Sequence, residues 1–326
     1  VTCIDSPFDG AITVFRGLPY AEPPVGDLRW QAPQPPANWS GVRVADTFAD
    51  SCHQPRHSSS FVWRREGFSV SEDCLYLNVW APESADKLPV MVWFHGVSHV
   101  SGQGHSLIFD GTTLAQHDVL VVTINYRLGP LGFLAHPWLS EEAASDSAVG
   151  TSGNYGLMDK IAALQWVNRN IEVLGGDPQN VTIFGQSAGS QSVCSLMTAP
   201  SAQGLFHKAI GQSAACVNQL TQADANGHER GQALVDALGA SSIEDLRGAE
   251  PDALLVAMTK SNWESESRIV IDGRVLPRWP HEVFAAGEQS DIPLMLGFLA
   301  DEGYELFEVE SALTEAELQG FLEYVG

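Results

Sequence analysis

The chain contains 326 residues, of which 44% are hydrophobic, 17% charged and 9% aromatic. This composition can bury a large core and is too apolar for a disordered chain. Asp and Glu outnumber Lys and Arg by 40 to 17, which gives a formal net charge of −23. Such a surface repels phosphate backbones and anionic headgroups, so it argues against nucleic-acid binding and electrostatic docking to membranes. No apolar run in the sequence approaches the roughly 18 residues of a membrane-spanning helix.

The first predicted elements are extended. Residues 22–36 contain five prolines and are predicted to form an extended surface segment. Strand-like runs follow at residues 77–80, 90–94, 119–126 and 181–184. The last three are nearly continuous in apolar or β-branched residues, which is typical of strands buried on both faces.

Helical patterns lie between and after these strands. Residues 157–174 are predicted to form a helix, because apolar side chains recur at spacings of three and four before a Gly-Gly pair. Two more helical patterns cover residues 228–238 and 243–260, and a last strand is predicted at 292–297. Alternating strands and helices predict an α/β fold with a mainly parallel sheet covered on both faces. No linker-like break occurs, so residues 1–326 are predicted to form a single domain.

A Gly-x-Ser-x-Gly pattern is formed by Gly185, Ser187 and Gly189, with a short apolar strand before it and a helix-compatible stretch after it. In a sharp turn from strand to helix, glycines avoid collisions between a Cβ and the neighbouring backbone, and the serine is presented at the sheet edge. The helix behind the serine directs free N–H groups at a developing oxyanion. The pattern predicts that Ser187 is a nucleophile. A serine in an ordinary glycine-rich turn is the alternative.

A second motif, His95-Gly96, follows the predicted strand at 90–94. A His-Gly-rich loop after a strand is where enzymes with such a serine place further oxyanion donors. An ordinary connection between strand and helix is the alternative.

Six stretches of the sequence match a known family in the family's order. They are FRGLPYAEPP at 15–24 with LRW at 28–30, SEDCLYLN at 71–78, NYRLG at 125–129, GGDP at 175–178, FGQSAG at 184–189 and DEG at 301–303. Together they resemble the type-B carboxylesterases, the group that includes cholinesterases and bile-salt-type lipases. The resemblance implies an α/β-hydrolase fold, with a large, mostly parallel sheet flanked by helices. It also implies a serine carboxylesterase that takes a small-molecule ester, and it implies no cofactor or metal.

The resemblance implies roles for individual residues. Ser187 matches the nucleophile and Glu302 the acid of a Ser–His–Glu triad, although by itself Glu302 would be interpreted as a solvated loop carboxylate. The backbone N–H groups of Val97, Ser98 and Ala188 match the oxyanion hole. The family usually has glycine at the first two of these positions. A β-branched Val97 is unfavourable wherever φ must be unusual, and its methyl groups would narrow the acyl site.

Further matches are structural. Ser213 resembles a serine that hydrogen-bonds the triad acid. Cys52 and Cys74 resemble the family's first disulfide, with two buried thiols as the alternative. A disulfide favours an oxidising compartment, so a secreted or periplasmic protein is expected. Two pairs match buried ion pairs of the family, Arg29 with Glu72 and Arg127 with Asp159.

The general base is missing from the expected place. In α/β-hydrolases the order is serine, acid, histidine, yet all ten histidines of this chain precede Glu302. The favoured interpretation is a histidine supplied by a following C-terminal segment or by a second chain, with these residues forming roughly the first two thirds of the domain. A second is recruitment of an upstream histidine, with His99 and His95 nearest the oxyanion loop. A third is a non-catalytic, cholinesterase-like binding or adhesion module.

One basic segment stands out in this acidic chain. Arg56, Arg64 and Arg65 lie in residues 53–65, which contain no acidic side chain. The resemblance places this segment near the active-site entrance, where it would recruit an anionic polycarboxylate ester such as the tricarballylic side chains of fumonisins. Ordinary surface arginines that pair with neighbouring carboxylates are the alternative.

Overall fold

Strands and helices alternate along most of the chain. The computed structural model describes residues 3–6, 11–55, 69–146, 150–214, 216, 221–222, 227–263, 268–300 and 302. The strands are β1 (Ile4–Asp5), β2 (Ile12–Pro19), β3 (Ser51–Cys52), β4 (Val70–Ser71), β5 (Tyr76–Pro82), β6 (Leu88–Phe94), β7 (Leu120–Ile124), β8 (Gly176–Gln186), β9 (Lys208–Gln212), β10 (Thr221–Gln222), β11 (Val270–Ile271) and β12 (Leu294–Gly297). The α-helices are α1 (Thr112–Ala115), α2 (Gly129–Phe133), α3 (Pro137–Asp146), α4 (Tyr155–Asn170), α5 (Ala188–Thr198), α6 (His228–Leu238), α7 (Ile243–Arg247), α8 (Pro251–Lys260) and α9 (Pro280–Ala286).

The main sheet has eight strands in the order β1-β2-β5-β7-β6-β8-β9-β12. The five strands from β7 to β12 are parallel to one another, whereas β1, β2 and β5 pair antiparallel at one side. The prediction of an α/β fold with a mostly parallel sheet is therefore confirmed. The sequence did not predict β2, whose residues alternate less clearly between buried and exposed positions.

Helices cover both faces of this sheet. Successive strand residues point to opposite faces of a sheet, so the side chains of Val121 and Val122 of β7 lie on different faces. Val121 packs in a cluster with Ala115 of α1, while Val122 belongs to the main core, whose strand residues contact α4 and α5. The central strands are fully buried on the main-core side, as Val92 and Ile183 are 0% exposed. This double burial explains their continuous apolar sequences.

Two helix predictions needed correction, one at its end and one in its interior. The predicted helix at 157–174 is α4 followed by a 3-10 turn, Ile171–Leu174, which ends at Gly175 with a φ of 88°. The predicted helix at 243–260 is broken into α7 and α8. The break follows from Pro251, which lacks the N–H that would continue α7, and from the restriction that proline imposes on the residue before it.

Covalent and ionic links connect distant segments. Disulfides join Cys52 to Cys74 and Cys194 to Cys216. The Arg29 guanidinium makes two bonds to the Glu72 carboxylate, and Arg127 Nη2 lies 2.7 Å from Asp159 Oδ1. None of the helices among the described residues is long and apolar enough to cross a bilayer.

Candidate active site

Ser187 occupies the sharp turn between β8 and α5. Its φ of 55° and ψ of −121° are unusual for a residue with a side chain, a strain of about 1–3 kcal/mol that the surroundings must maintain. The Ser187 N–H donates to the Gln212 carbonyl oxygen at 2.8 Å, and its own carbonyl accepts from the Gln191 N–H at 3.0 Å. These bonds fix the residue against β9 on one side and the first turn of α5 on the other.

The two glycines of the motif allow β6, β8 and α5 to approach closely. A Cβ on Gly189 would lie 2.0 Å from the Phe94 carbonyl oxygen, and a Cβ on Gly185 would lie 2.6 Å from the Gly189 carbonyl carbon. Both distances are too short for any real side chain. The glycines are therefore required by packing around Ser187, as the sequence argument anticipated.

The loop at residues 95–106 leaves β6 beside this turn. A Cβ on Gly96 would lie 3.2 Å from the Ser187 Cβ, so the start of the loop is in direct contact with the serine. Val97, Ser98 and His99 follow with φ values of 64°, 56° and 58°. Three successive residues with side chains are thus held in the left-handed region of φ and ψ. This conformation is most unfavourable for Val97, because its side chain is β-branched.

Residues 97–99, called the left-handed run below, are held by hydrogen bonds on both sides. The Val97 carbonyl accepts from the Val100 N–H at 3.1 Å, and the His99 carbonyl accepts from the Gly129 N–H at 2.8 Å. His99 Nε2 lies 2.9 Å from the Ser192 hydroxyl of α5. The 95–106 loop and the helix behind Ser187 are therefore tied into one unit.

Ala188 completes the neighbourhood of the serine. It is the first residue of α5, so its N–H has no acceptor within the helix, and the positive end of the helix dipole lies at this point. The structure thus places Ala188 directly after Ser187 and brings the loop that carries Val97 and Ser98 into contact with the serine through Gly96.

The first two of the three histidines in the 95–106 loop are buried in the core. His95 and His99 are 0% and 1% exposed. Burial, with a contribution from the positive charge of Lys160, lowers the pKa of His95 to about 3 and that of His99 well below its usual range. Within the described residues, neither imidazole hydrogen-bonds the Ser187 hydroxyl: His95 Nδ1 lies 3.2 Å from the Gly96 carbonyl oxygen, and His99 bonds Ser192. Both rings act here as neutral packing groups.

Ser213 and Glu302 lie beyond β9 and β12, which pair side by side. Ser213, with a φ of 58°, donates its N–H to the Gly297 carbonyl oxygen at 2.8 Å. Glu302 is exposed, and its Oε2 accepts from the Leu299 N–H at 3.0 Å. No hydrogen bond joins the Ser213 hydroxyl to Glu302 in the described part of the chain. Arg56, Arg64 and Arg65 lie outside the described residues.

Sequence reasoning missed three features near the site. The Cys194–Cys216 disulfide links α5 to the segment after Ser213, a pairing that cysteine spacing alone could not indicate. The other two are Tyr126 and Lys160, which pack beneath the 95–106 loop. A signal for Lys160 existed, because it lies at helical spacing from Leu157 and Leu164 on the apolar face of α4.

This arrangement agrees with the comparisons with known proteins. The sequence matches the Carboxylesterase family over residues 4–321. The chain belongs to this family. It is 41% identical over 329 residues to the para-nitrobenzyl esterase of Bacillus subtilis, a match that covers 97% of the chain and 65% of that esterase. It is 42% identical over 310 residues to the fumonisin B1 esterase of Sphingopyxis macrogoltabida, covering 90% of the chain and 54% of that enzyme.

Solved carboxylesterase structures share the fold. A PNB esterase superposes with a TM-score of 0.86 at 36% sequence identity, covering 99% of this chain and 68% of that one. A carboxylesterase of Geobacillus stearothermophilus gives a TM-score of 0.84 at 36% identity, covering 100% and 68%. The α/β-hydrolase architecture expected from the sequence is thus confirmed for this carboxylesterase-family chain. The chain spans less than two thirds of the length of the curated relatives just described.

Proposed function

We propose that this carboxylesterase-family protein hydrolyses carboxylic esters through an acyl-enzyme on Ser187. The contact between Ser187 and the 95–106 loop supports the proposal most strongly, because Gly96 of that loop lies against the serine and Ala188 begins α5 directly after it. In the first step the Ser187 Oγ attacks the ester carbonyl carbon and its proton passes to a general base. The N–H groups of Val97, Ser98 and Ala188 stabilise the oxyanion, and loss of one such donor costs on the order of 10²–10³ in rate.

The tetrahedral intermediate then collapses. The bond to the alcohol breaks, the alcohol takes the proton from the base, and an acyl-serine remains. Water attacks this acyl group, gives its proton to the base and releases the carboxylic acid, which regenerates the serine hydroxyl.

The general base in this proposal is a histidine outside the described residues, supplied by a following segment or by a second chain. Glu302 holds that histidine in the correct tautomer, with Ser213 supporting the carboxylate. Recruitment of His95 or His99 is disfavoured, since both are buried and hydrogen-bonded elsewhere and their pKa values are lowered. A base must take up a proton at working pH, which these rings resist.

We further propose an anionic ester as the substrate class. The support is the run containing Arg56, Arg64 and Arg65, together with the similarity to a fumonisin B1 esterase. Replacing Arg64 and Arg65 with Gln should raise KM for a tricarballylate ester and leave KM for a neutral aryl ester unchanged. Equal changes for both esters would remove this part of the proposal.

The two disulfides support an oxidising location, outside the cell or in the periplasm.

The catalytic proposal itself is tested by treating the protein with an aryl phosphonate and locating the label by peptide mass spectrometry. The label is expected on Ser187, and Ser187→Ala should lose both labelling and hydrolysis of p-nitrophenyl acetate. Ser201→Ala, at an exposed serine beyond α5, is the matched control and should retain both. A wild-type protein that turns over no ester and takes no label would instead support a non-catalytic binding module.

A further inference from the structure

Lys160 is a lysine buried in the core among aromatic rings. It is 0% exposed, and its Nζ donates to the Gly156 carbonyl oxygen at 3.2 Å. The same Nζ stands 3.1 Å from the centroid of the Tyr126 ring. The adjacent carboxylate, Asp159, is bound by Arg127, and no carboxylate in the described part of the chain hydrogen-bonds Lys160. Burial lowers the pKa of Lys160 well below its usual value.

Burying an amine in this way is costly, because water is not replaced by a full set of acceptors. An apolar side chain would fit the apolar face of α4 at lower cost. The acyl-transfer steps proposed above do not use Lys160. A role in holding neighbouring groups would explain its presence.

Tyr126 connects Lys160 to the 95–106 loop. The Tyr126 hydroxyl donates to the His95 carbonyl oxygen at 2.7 Å, and its ring stacks on the His95 imidazole with centroids 4.3 Å apart. N–H groups directed at an aromatic face are attracted by its negative potential. They also draw electron density from the ring, which makes the phenol a stronger donor. Lys160 therefore both locates the ring and strengthens the bond to His95.

The His95 carbonyl belongs to the peptide that leads into Gly96. Its direction sets the path of the backbone as it leaves β6 and enters the left-handed run at residues 97–99. Left-handed residues with side chains are strained, so this run persists only if its ends are held. The bond from Tyr126 holds the end that lies against Ser187.

We propose that Lys160 is a positioning residue for ester hydrolysis, acting through Tyr126 and the His95 carbonyl to hold the N–H groups of Val97 and Ser98 in place. This inference rests on the proposed function, because those N–H groups are the proposed oxyanion donors. Oxyanion stabilisation acts on the transition state, so loss of Lys160 should lower kcat and leave KM unchanged. Replacing Lys160 with an apolar side chain should not lower the melting temperature, because the replacement removes the cost of burying an amine.

The experiment compares K160M, Y126F and the double variant. Each single variant is expected to lower kcat about tenfold with KM within twofold of wild type, and the double variant should lose no more than the worse single one, because both act on one chain of contacts. Y20F is the matched control. Tyr20 is also buried and also donates a hydroxyl to a backbone carbonyl, that of Asn125, at 2.7 Å. Its kcat should stay within twofold of wild type.

A second measurement does not depend on hydrolysis. The amides of Val100, Ser101 and Gly129 bond the carbonyls of the left-handed run, so their hydrogen exchange reports on it. Exchange at these amides should be about tenfold faster in K160M and unchanged in Y20F. Should K160M not fold, K160Q keeps an N–H donor near the ring and is expected to give smaller changes in the same direction.

The outcomes separate the two proposals. If wild type hydrolyses no ester, the proposed function fails, and the exchange measurement still decides the role of Lys160 in holding the loop. Three results would each overturn the inference. The first is a K160M variant whose kcat and amide exchange equal those of wild type. The others are kcat losses in K160M and Y126F that add fully in the double variant, and an equal kcat loss in Y20F.

Discussion

Gly96 packs so tightly on Ser187 that a Cβ on the glycine would lie 3.2 Å from the serine Cβ and 2.6 Å from the Gln186 carbonyl oxygen. The two residues come from different motifs, about ninety positions apart in the sequence. They meet because β6 and β8 are neighbouring parallel strands that end at the same edge of the sheet. The close contact leaves no freedom for the start of the 95–106 loop to move independently of the serine.

Gly96→Ala should therefore displace the serine turn. A shift of about 1 Å in a reacting group can cost on the order of 10² in rate, so kcat is expected to fall by about that factor. Gly204→Ala is the control, because nothing lies within 4 Å of an added Cβ there, and its positive φ of 77°, which Gly96 does not share, adds only a backbone cost. That variant should lose about 1 kcal/mol of stability and keep its kcat. Similar kcat values for both variants would contradict the contact argument.

Val97→Gly should be tolerated although it removes a whole side chain. Glycine relieves the left-handed strain at φ 64°, and this gain offsets the backbone entropy that glycine loses on folding. The free energy of unfolding is expected to stay within about 1 kcal/mol of wild type. Val92→Gly in β6, at a position that is 0% exposed, should cost about 2–4 kcal/mol. Urea denaturation measures both, and equal losses would show that Val97 is not strained.

Acid should destabilise the protein from about pH 6.5 downward, through buried histidines. Burial lowers the pKa of His105 to about 4 and that of His95 to about 3. Since these rings stay neutral in the folded state while the unfolded chain protonates them near pH 6.5, unfolding takes up protons in this window. Stability is therefore fully present above pH 6.5 and is lost as the pH falls toward the folded-state pKa, by about 1.4 kcal/mol per pH unit for each ring.

His105→Gln tests this directly. The slope of unfolding free energy against pH between 4.5 and 6 should decrease by about 1.4 kcal/mol per pH unit, whatever the variant does to stability at pH 8. An unchanged slope would mean that the His105 ring is protonated in the folded protein.

Thiol titration should find one reactive cysteine. Cys3 is the free cysteine among the five and is exposed, whereas the other four form the Cys52–Cys74 and Cys194–Cys216 disulfides. Ellman's reagent is expected to detect one thiol in the native protein, still one after unfolding without reductant, and five after reduction. Cys3→Ser should abolish the native signal. Three or five thiols in the unfolded, unreduced protein would contradict the pairing.

Much of the fold and the position of the serine could be predicted from the sequence. Strands buried on both faces have continuous apolar runs, and helices carry apolar residues at spacings of three and four, so local patterns report directly on these environments. The Gly185-x-Ser187-x-Gly189 motif could also be recognised from the sequence, because a sharp turn between packed elements excludes side chains at defined positions. Boundaries such as the break at Pro251 were missed where a single residue overrode a longer helical pattern.

Other features depended on contacts between residues far apart in the chain. That His95 and His99 are buried neutral groups, that Lys160 lies against Tyr126, and that Cys194 pairs with Cys216 all follow from which elements become neighbours in the sheet and its helical layers. A sequence shows which side chains are present, but the pKa of a histidine depends on the solvent it loses and the charges it gains when distant segments pack. The sequence by itself therefore determined the family, the α/β fold and the motif around Ser187. Only the tertiary structure decided what surrounds that serine and what holds the left-handed run beside it.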